Sequence, residues 1–317
     1  MKKYLEDLRK ELKKKHMTEE EIEEIIADHV EMFESAQAEG LNEEDIIKKF
    51  GEPKQVAEEL SDFEYKHTEN KEVKAYTLLK AFDITKETLK VTTHLVSEYV
   101  SYQPSTSDQI QIYYKGTGNI GKYDIDYKND ELFLKSPRSS NFLFFRNRKD
   151  EFSFIVEIPI TLVIEEFTQS GINGSVGFEG LKAINFHIRT INGDIKLKDA
   201  DLGEVKLNAV NGDMEIEQSK FTSLYVSEIS GDISLENVTI QGSFRFQTVS
   251  GDANIKNTTC HECDMNSVSG DIEGHEFYPQ KVSLKSVSGD IKIKNERSDS
   301  IEVVKKSSVS GDVKVNF

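Results

Sequence analysis

A Ser/Asn-Gly-Asp triplet returns along the second half of the chain at a nearly fixed interval, and no other feature restricts the fold as much. The copies are Asn192-Gly193-Asp194, Asn211-Gly212-Asp213, Ser230-Gly231-Asp232, Ser250-Gly251-Asp252, Ser269-Gly270-Asp271, Ser288-Gly289-Asp290 and Ser310-Gly311-Asp312. Asn173-Gly174-Ser175 is a degenerate first copy. Successive glycines lie 19, 19, 19, 20, 19, 19 and 22 residues apart. A period near 20 with strand-like spacing is the mark of a solenoid, in which each unit buries its apolar face on the next.

The phase inside each unit supports strands. Two and four residues after the glycine come Ile195/Leu197, Met214/Ile216, Ile233/Leu235, Ala253/Ile255, Ile291/Ile293 and Val313/Val315, with polar residues between them. This is the alternation of a half-buried strand. A second apolar pair follows further on: Val205/Leu207, Leu224/Val226, Cys263/Met265 and Val282/Leu284. A third apolar position stands two residues before the glycine, at Ile191, Val210, Ile229, Val249, Val268, Val287 and Val309. No helical period fits such a unit. Each coil is expected to hold two or three short strands joined by tight corners, with coils about 4.8 Å apart.

Glycine suits a corner that needs a positive φ, since it has no Cβ to clash. The flanking Ser, Asn and Asp can hydrogen-bond neighbouring amides. Stacked carboxylates repel by about 1 kcal/mol per adjacent pair in water, so the Asp column needs donors or cations. The calcium nonapeptide of other β-helices is absent. The expectation is that the Asp oxygens cap corner amides and that calcium is not required.

Residues 1–63 follow a different rule. Leu5, Leu8 and Leu12 fall on one helical face. Thr18 and Glu21 form a capping box ahead of a second helix with Ile22, Ile25, Ile26, Val30 and Phe33, which stops at Gly40. Asn42 can cap a third helix carrying Ile46, Ile47 and Phe50, and Pro53 opens a fourth with Val56, Ala57 and Leu60. The segment holds 10 basic and 19 acidic residues. Neutralising phosphates needs a basic face, so direct nucleic-acid binding is not expected of it. The cluster Arg9, Lys10, Lys13, Lys14, Lys15 is read as a solvated helix end.

The run EGLNEEDIIKKFGEPKQVAEEL (39–60), with Gly40, Glu44, Ile46, Gly51, Pro53 and Val56 in register, resembles the bacterial HAAS domain. His29 and Met32 depart from it, standing where an aromatic is common. The resemblance implies protein–protein signalling, with a PadR-like regulator or a membrane sensor as partner. The iterated V/I-S/N-G-D-I-x-I units, preceded by EIPITLVIEE (157–166), resemble the bacterial "putative adhesin" family. That resemblance implies a right-handed β-helix over roughly 75–317.

The fold class expected is therefore multidomain, α then β. A small helical bundle (1–63) leads through a linker (64–74) into a β-rich opening and capping region (75–170). A β-helix (β-solenoid) of about 19–20 residues per coil follows (171–317). In the capping region, LKVTTHLVSEYVSY (89–102) and DQIQIYYKG (108–116) alternate like antiparallel strands, and 122–135 reads as a hairpin around Asn129-Asp130. One loop, SPRSSNFLFFRNRKD (136–150), combines Phe142, Phe144 and Phe145 with Arg138, Arg146 and Arg148 in an otherwise acidic chain. It is a hairpin feeding the core or a docking loop for an acidic partner or lipid headgroup.

The whole chain carries 40 Lys+Arg against 57 Asp+Glu, a net charge of −17, which favours solubility and repulsion from anionic membranes. No apolar run approaches the roughly 18 residues of a membrane span, and the N-terminus has no apolar h-region. With two Cys, reduced thiols and a cytoplasmic location are expected. Cys260 and Cys263 form a lone C-x-x-C that the repeat register turns inward. No ligand-spaced histidines, nucleophile elbow, P-loop or dinucleotide fingerprint appears. Outward residues between strand positions, such as Lys196, Glu215, Ser234 and Glu273, form no paired-carboxylate cleft.

The sequence thus points to a non-enzymatic signalling or scaffold protein without cofactors. A surface adhesin or glycan binder, and a carbohydrate-active β-helix enzyme, are the alternatives. The final VKVNF has no helix after it, and its edge strand is expected to support an end-to-end homodimer.

Overall fold

The computed structural model describes residues 2–15, 19, 22–23, 25–27, 29–30, 33, 47, 51–62, 73–137, 152–295 and 301–316. They form two compact units, one helical and one of strands.

In the helical unit, α1 spans Lys2–Lys14 and α2 spans Pro53–Asp62. The buried stripe of α1 is Tyr4, Leu8 and Leu12, with Leu5 at its margin, and it packs with Ile22, Ile26, Phe33, Val56 and Ala57. Gly51, at φ +93°, breaks the chain ahead of α2, and its carbonyl accepts a 3.0 Å hydrogen bond from the Tyr4 hydroxyl. Burial pushes that phenol up to about 12, with Glu52 adding to the effect. On the outer face Arg9 pairs with Glu23 and Lys13 with Glu19, so the basic cluster is partly neutralised within the unit.

In the strand unit the regular coils read in chain order as a short strand, a corner and a longer bent strand. These are β9 (Val176–Glu179), β10 (Lys182–Arg189), β11 (Ile195–Lys198), β12 (Asp201–Asn208), β13 (Met214–Glu217), β14 (Lys220–Ser227) and β15 (Ile233–Glu236). After them come β16 (Thr239–Ile240), β17 (Ser243–Thr248), β18 (Ala253–Ser267), β19 (Ile272–Ser286), β20 (Ile291–Lys294), β21 (Glu302–Ser308) and β22 (Val313–Asn316). Each strand pairs in parallel with its counterpart one coil on, β11 with β13 and β12 with β14 for example. The result is a β-solenoid of about eight turns with about 19 residues each.

Parallel in-register stacking sorts side chains into columns. Ile195, Met214, Ile233, Ala253, Ile272 and Ile291 stack inside, and so do Val205, Leu224, Phe244, Cys263 and Val282. Each full burial of such an aliphatic contributes about 1.5–3 kcal/mol. Gly274 interrupts one column between Ile255 and Ile293, and the Phe277 ring lies against the vacated position.

The opening coils depart from the antiparallel reading of 89–102. β2 (Thr88–Leu95) and β3 (Tyr99–Ser105) are a true coil, in parallel with β8 (Val163–Gly171) and β9 respectively. Alternation alone cannot distinguish parallel from antiparallel partners when one face is buried, and the partner here lies more than 70 residues away in sequence. Beneath them β6 (Glu131–Lys135) pairs with β2, and β7 (Phe152–Pro159) pairs with β3. Among the described residues antiparallel pairing occurs only beyond that coil, where β5 (Asp124–Lys128) turns into β6 through Asn129 and Asp130, both left-handed. On the other side β4 (Gln109–Gly116) pairs antiparallel with β7 and with β1 (Val73–Asp83). This ribbon covers the edge that a solenoid otherwise exposes.

Candidate functional site

The repeated triplet forms a corner that runs the length of the rod, and the reason for its glycine differs from a left-handed turn. Of Gly193, Gly212, Gly231, Gly251, Gly270, Gly289 and Gly311, only Gly212 has a positive φ, +156°, near extended backbone. What excludes a side chain is the coil below. A Cβ on Gly251 would stand 1.7 Å from the Gly231 carbonyl oxygen, and one on Gly270 1.8 Å from that of Gly251. The left-handed corner lies elsewhere, six residues on, at Gly180, Asp199, Gln218, Asn237, Asn257 and Glu276, with φ between +44° and +64°. Asn and Asp tolerate that region, whereas each other side chain there costs about 1–2 kcal/mol.

The Asp column is a hydrogen-bonded ladder. Asp213 N donates to Asp194 Oδ1 at 3.1 Å, Asp232 N to Asp213 Oδ1 at 3.0 Å and Asp252 N to Asp232 Oδ1 at 2.9 Å. Asp271 N, Asp290 N and Asp312 N continue the series at 2.8, 2.8 and 2.9 Å. Asp290 and Asp312 also pair with Lys292 and Lys314, and the Asp312 amide together with Lys292 holds the Asp290 carboxyl below its usual range. Among the described residues Asp213, Asp232, Asp252 and Asp271 meet no cation at ion-pair distance. One residue before the glycine, Asn211 donates its side-chain amide to Asn192 Oδ1, while Ser250, Ser269 and Ser288 hydroxyls reach carbonyls of the coil below.

Inside the corner, three residues before the glycine, a second column is buried: Thr190, Ala209, Glu228, Thr248, Ser267 and Ser286. Thr190 and Thr248 accept from the Gly193 and Gly251 amides at 3.1 and 3.0 Å, and Ser267 donates to the Gly270 carbonyl. Glu228 breaks the pattern. It is 2% exposed, and neither carboxylate oxygen has a well-formed hydrogen bond. Burial, then the neighbouring Asp213 and Asp232, push it up to about 7, offset in part by the Gly231 amide. Glu98, at the first coil's corner, shows the contrast. Its buried carboxylate accepts from the Val96 and Ser97 amides at 2.7 and 2.9 Å and from the Ser136 and Tyr123 hydroxyls.

Outside the same corner, the third apolar position does not join the core. Ile191, Ile229, Val249, Val268 and Val287 are each 43–47% exposed, Val210 is half-buried, and Val96 and Ile172 begin the same column. The sequence showed the repeat of this position but not its direction, because alternation ends at a corner.

Arg138, Phe142, Phe144, Phe145, Arg146 and Arg148 lie outside the described residues. Cys260 and Cys263 are both buried, and burial beside the Cys260 thiol pushes Cys263 well up, which disfavours a thiolate. Among the described residues no group of three or more His, Cys, Asp or Glu is placed to hold a metal. No described helix is long and apolar enough to cross a membrane. A shallow depression of about 380 Å³ includes Cys260, His261, Tyr278, Asn295 and Ile301 in its lining.

Residues 87–273 and 242–317 match the family profile described as Toastrack DUF4097, and residues 3–59 match that of HAAS. Among solved structures, a "putative lipid binding protein" of Parabacteroides distasonis ATCC 8503 is similar at 17% identity and a TM-score of 0.56, over 78% of this chain and 97% of that one. A "putative adhesin" of Parabacteroides merdae ATCC 43184 is similar at 19% identity and a TM-score of 0.52, over 75% of this chain and 95% of that one. No curated protein matches the sequence.

Proposed function

Because the chain belongs to the Toastrack DUF4097 family and carries a HAAS domain at its head, we propose that it is a non-enzymatic scaffold in a bacterial envelope-related response, acting through protein–protein contacts. The observation that carries the reading is how the rod spends its polar groups. From Asp194 to Asp290 the recurring aspartates hold the next coil's amide, and the glycines make room for the close approach of the coils. The repeated chemistry is used to build a long regular wall, and repeat walls serve as extended binding surfaces.

The HAAS head supports a PadR-like regulator or a membrane sensor as partner, and two free thiols fit a reducing, cytoplasmic working place. The names of the structural neighbours favour a second reading, a surface-located adhesin or lipid binder. Titrating the purified full chain against PadR-like regulators and membrane sensors of its own cell separates the two. A stoichiometric micromolar complex is expected, with the chain in the cytoplasmic fraction. Recovery of the chain at the cell surface without such a complex would overturn the reading, as would turnover in a glycan-hydrolysis screen.

A further inference from the structure

The aliphatic column on the outer corner goes beyond that reading, because it concerns the rod and not the head. Water-facing Ile or Val recurs there in coil after coil, at Ile191, Ile229, Val249, Val268 and Val287. The exposed parts together amount to several hundred Å², on the order of the apolar patches that mark interaction sites. From Ile191 onward an aspartate stands three residues further along the coil, and in the middle coils these meet no cation among the described residues. The face is therefore an apolar ridge beside an acidic rail.

Its backbone is already committed. The carbonyls of Ile191, Val210, Ile229 and Val249 accept from Asn211, Ser230, Ser250 and Ser269 of the next coil at 2.7–3.0 Å. A partner cannot add here as a strand, which needs a free edge. It has to read side chains. Coils recur every 4.8 Å or so, and an α-helix presents one face about every 5.4 Å, so about four turns stay within half a coil of register. Same-face residues of a strand recur at nearly 7 Å and lose step sooner. The acidic rail repels an anionic bilayer and a second copy of the same face, and it attracts cations.

We propose that this ridge docks an amphipathic α-helix of a partner protein, its apolar stripe on Ile191, Ile229, Val249 and Val268 and its Lys or Arg flank along Asp213, Asp232 and Asp252. The test uses the full chain and a fluorescent leucine–lysine peptide of about 18 residues, patterned as an amphipathic helix, with a scrambled peptide of equal composition. The patterned peptide should bind, and raising salt to about 0.5 M should weaken it. The variant I229S/V249S/V268S should weaken binding more than about tenfold, while I184S, at an exposed apolar position off the ridge, should not. Should the triple serine variant fail to fold, D213N/D232N/D252N keeps each Oδ1 acceptor, removes the charge, and must also weaken binding. Equal binding of the scrambled peptide, or indifference to both variants, would overturn the proposal. So would a ridge-dependent association with anionic vesicles or with a second copy in place of the peptide.

Discussion

Replacing Glu228 with threonine should make the rod more stable at neutral pH and remove a pH dependence that the wild type carries. The residue sits in a column where Thr190 and Thr248 accept the amide of the glycine three residues on, so a threonine at 228 can take the Gly231 amide. The magnitude follows from the carboxyl's displacement from its ordinary 4.5 to about 7. Each pH unit between folded and unfolded values is worth about 1.4 kcal/mol, so the buried carboxyl removes about 3 kcal/mol. Between pH 4.5 and 7 the folded chain holds a proton that the unfolded chain has released, so stability falls as pH rises and the loss is complete above about 7. Urea unfolding of wild type and E228T at pH 5 and pH 8 isolates the residue, because other titrating groups are common to both. About a quarter of the loss is already present at pH 5, so the advantage of E228T should grow by about 2.5 kcal/mol from the acid to the alkaline condition. A change below about 1 kcal/mol, or a wild type that gains on the variant as pH rises, would refute the account of a buried, unpaired carboxyl.

Gly251→Ala places a methyl 1.7 Å from a backbone oxygen, and should cost about 3 kcal/mol or more in a thermal melt, whereas Gln218→Gly relieves a left-handed φ and should gain up to about 1 kcal/mol. Asp252→Ala leaves the Asp271 amide without its acceptor and should cost about 1–2 kcal/mol by urea unfolding, whereas Asp252→Asn keeps the acceptor and should be near neutral. Millimolar calcium should leave the melting temperature within a few degrees, since the Asp ladder is held by amides; a large upward shift would refute this. Tyr4→Phe removes the bond to the Gly51 carbonyl and should destabilise the helical head by about 1 kcal/mol, read from its own unfolding transition.

Much of the rod was legible because stacking is strict. The period, the inward pairs at Ile195/Leu197 and their successors, and the inward Cys260 and Cys263 follow from side chains that must alternate about a buried face. The pairing of β2 with β8 was not legible, since the insertion from β4 to β7 separates two strands that are adjacent in space. The role of the triplet glycine was misread for a related reason. Sequence shows which residue lacks a Cβ but not which carbonyl, a whole coil away, would strike it. Residues such as Gln218 and Glu276 carry no turn signature, so the left-handed corner was hidden. Glu228 could have been found by aligning the position three before each glycine, where it is the one acid among Thr, Ala and Ser from 190 to 286.

The central claim is that the chain works by holding other proteins against a regular wall. It is tested most directly in a strain lacking the chain, by measuring how wild type and I229S/V249S/V268S restore a transcriptional reporter of envelope stress. The account predicts that the variant accumulates to the wild-type level with an unchanged melting profile and yet fails to restore the response. Full restoration by the variant would contradict it.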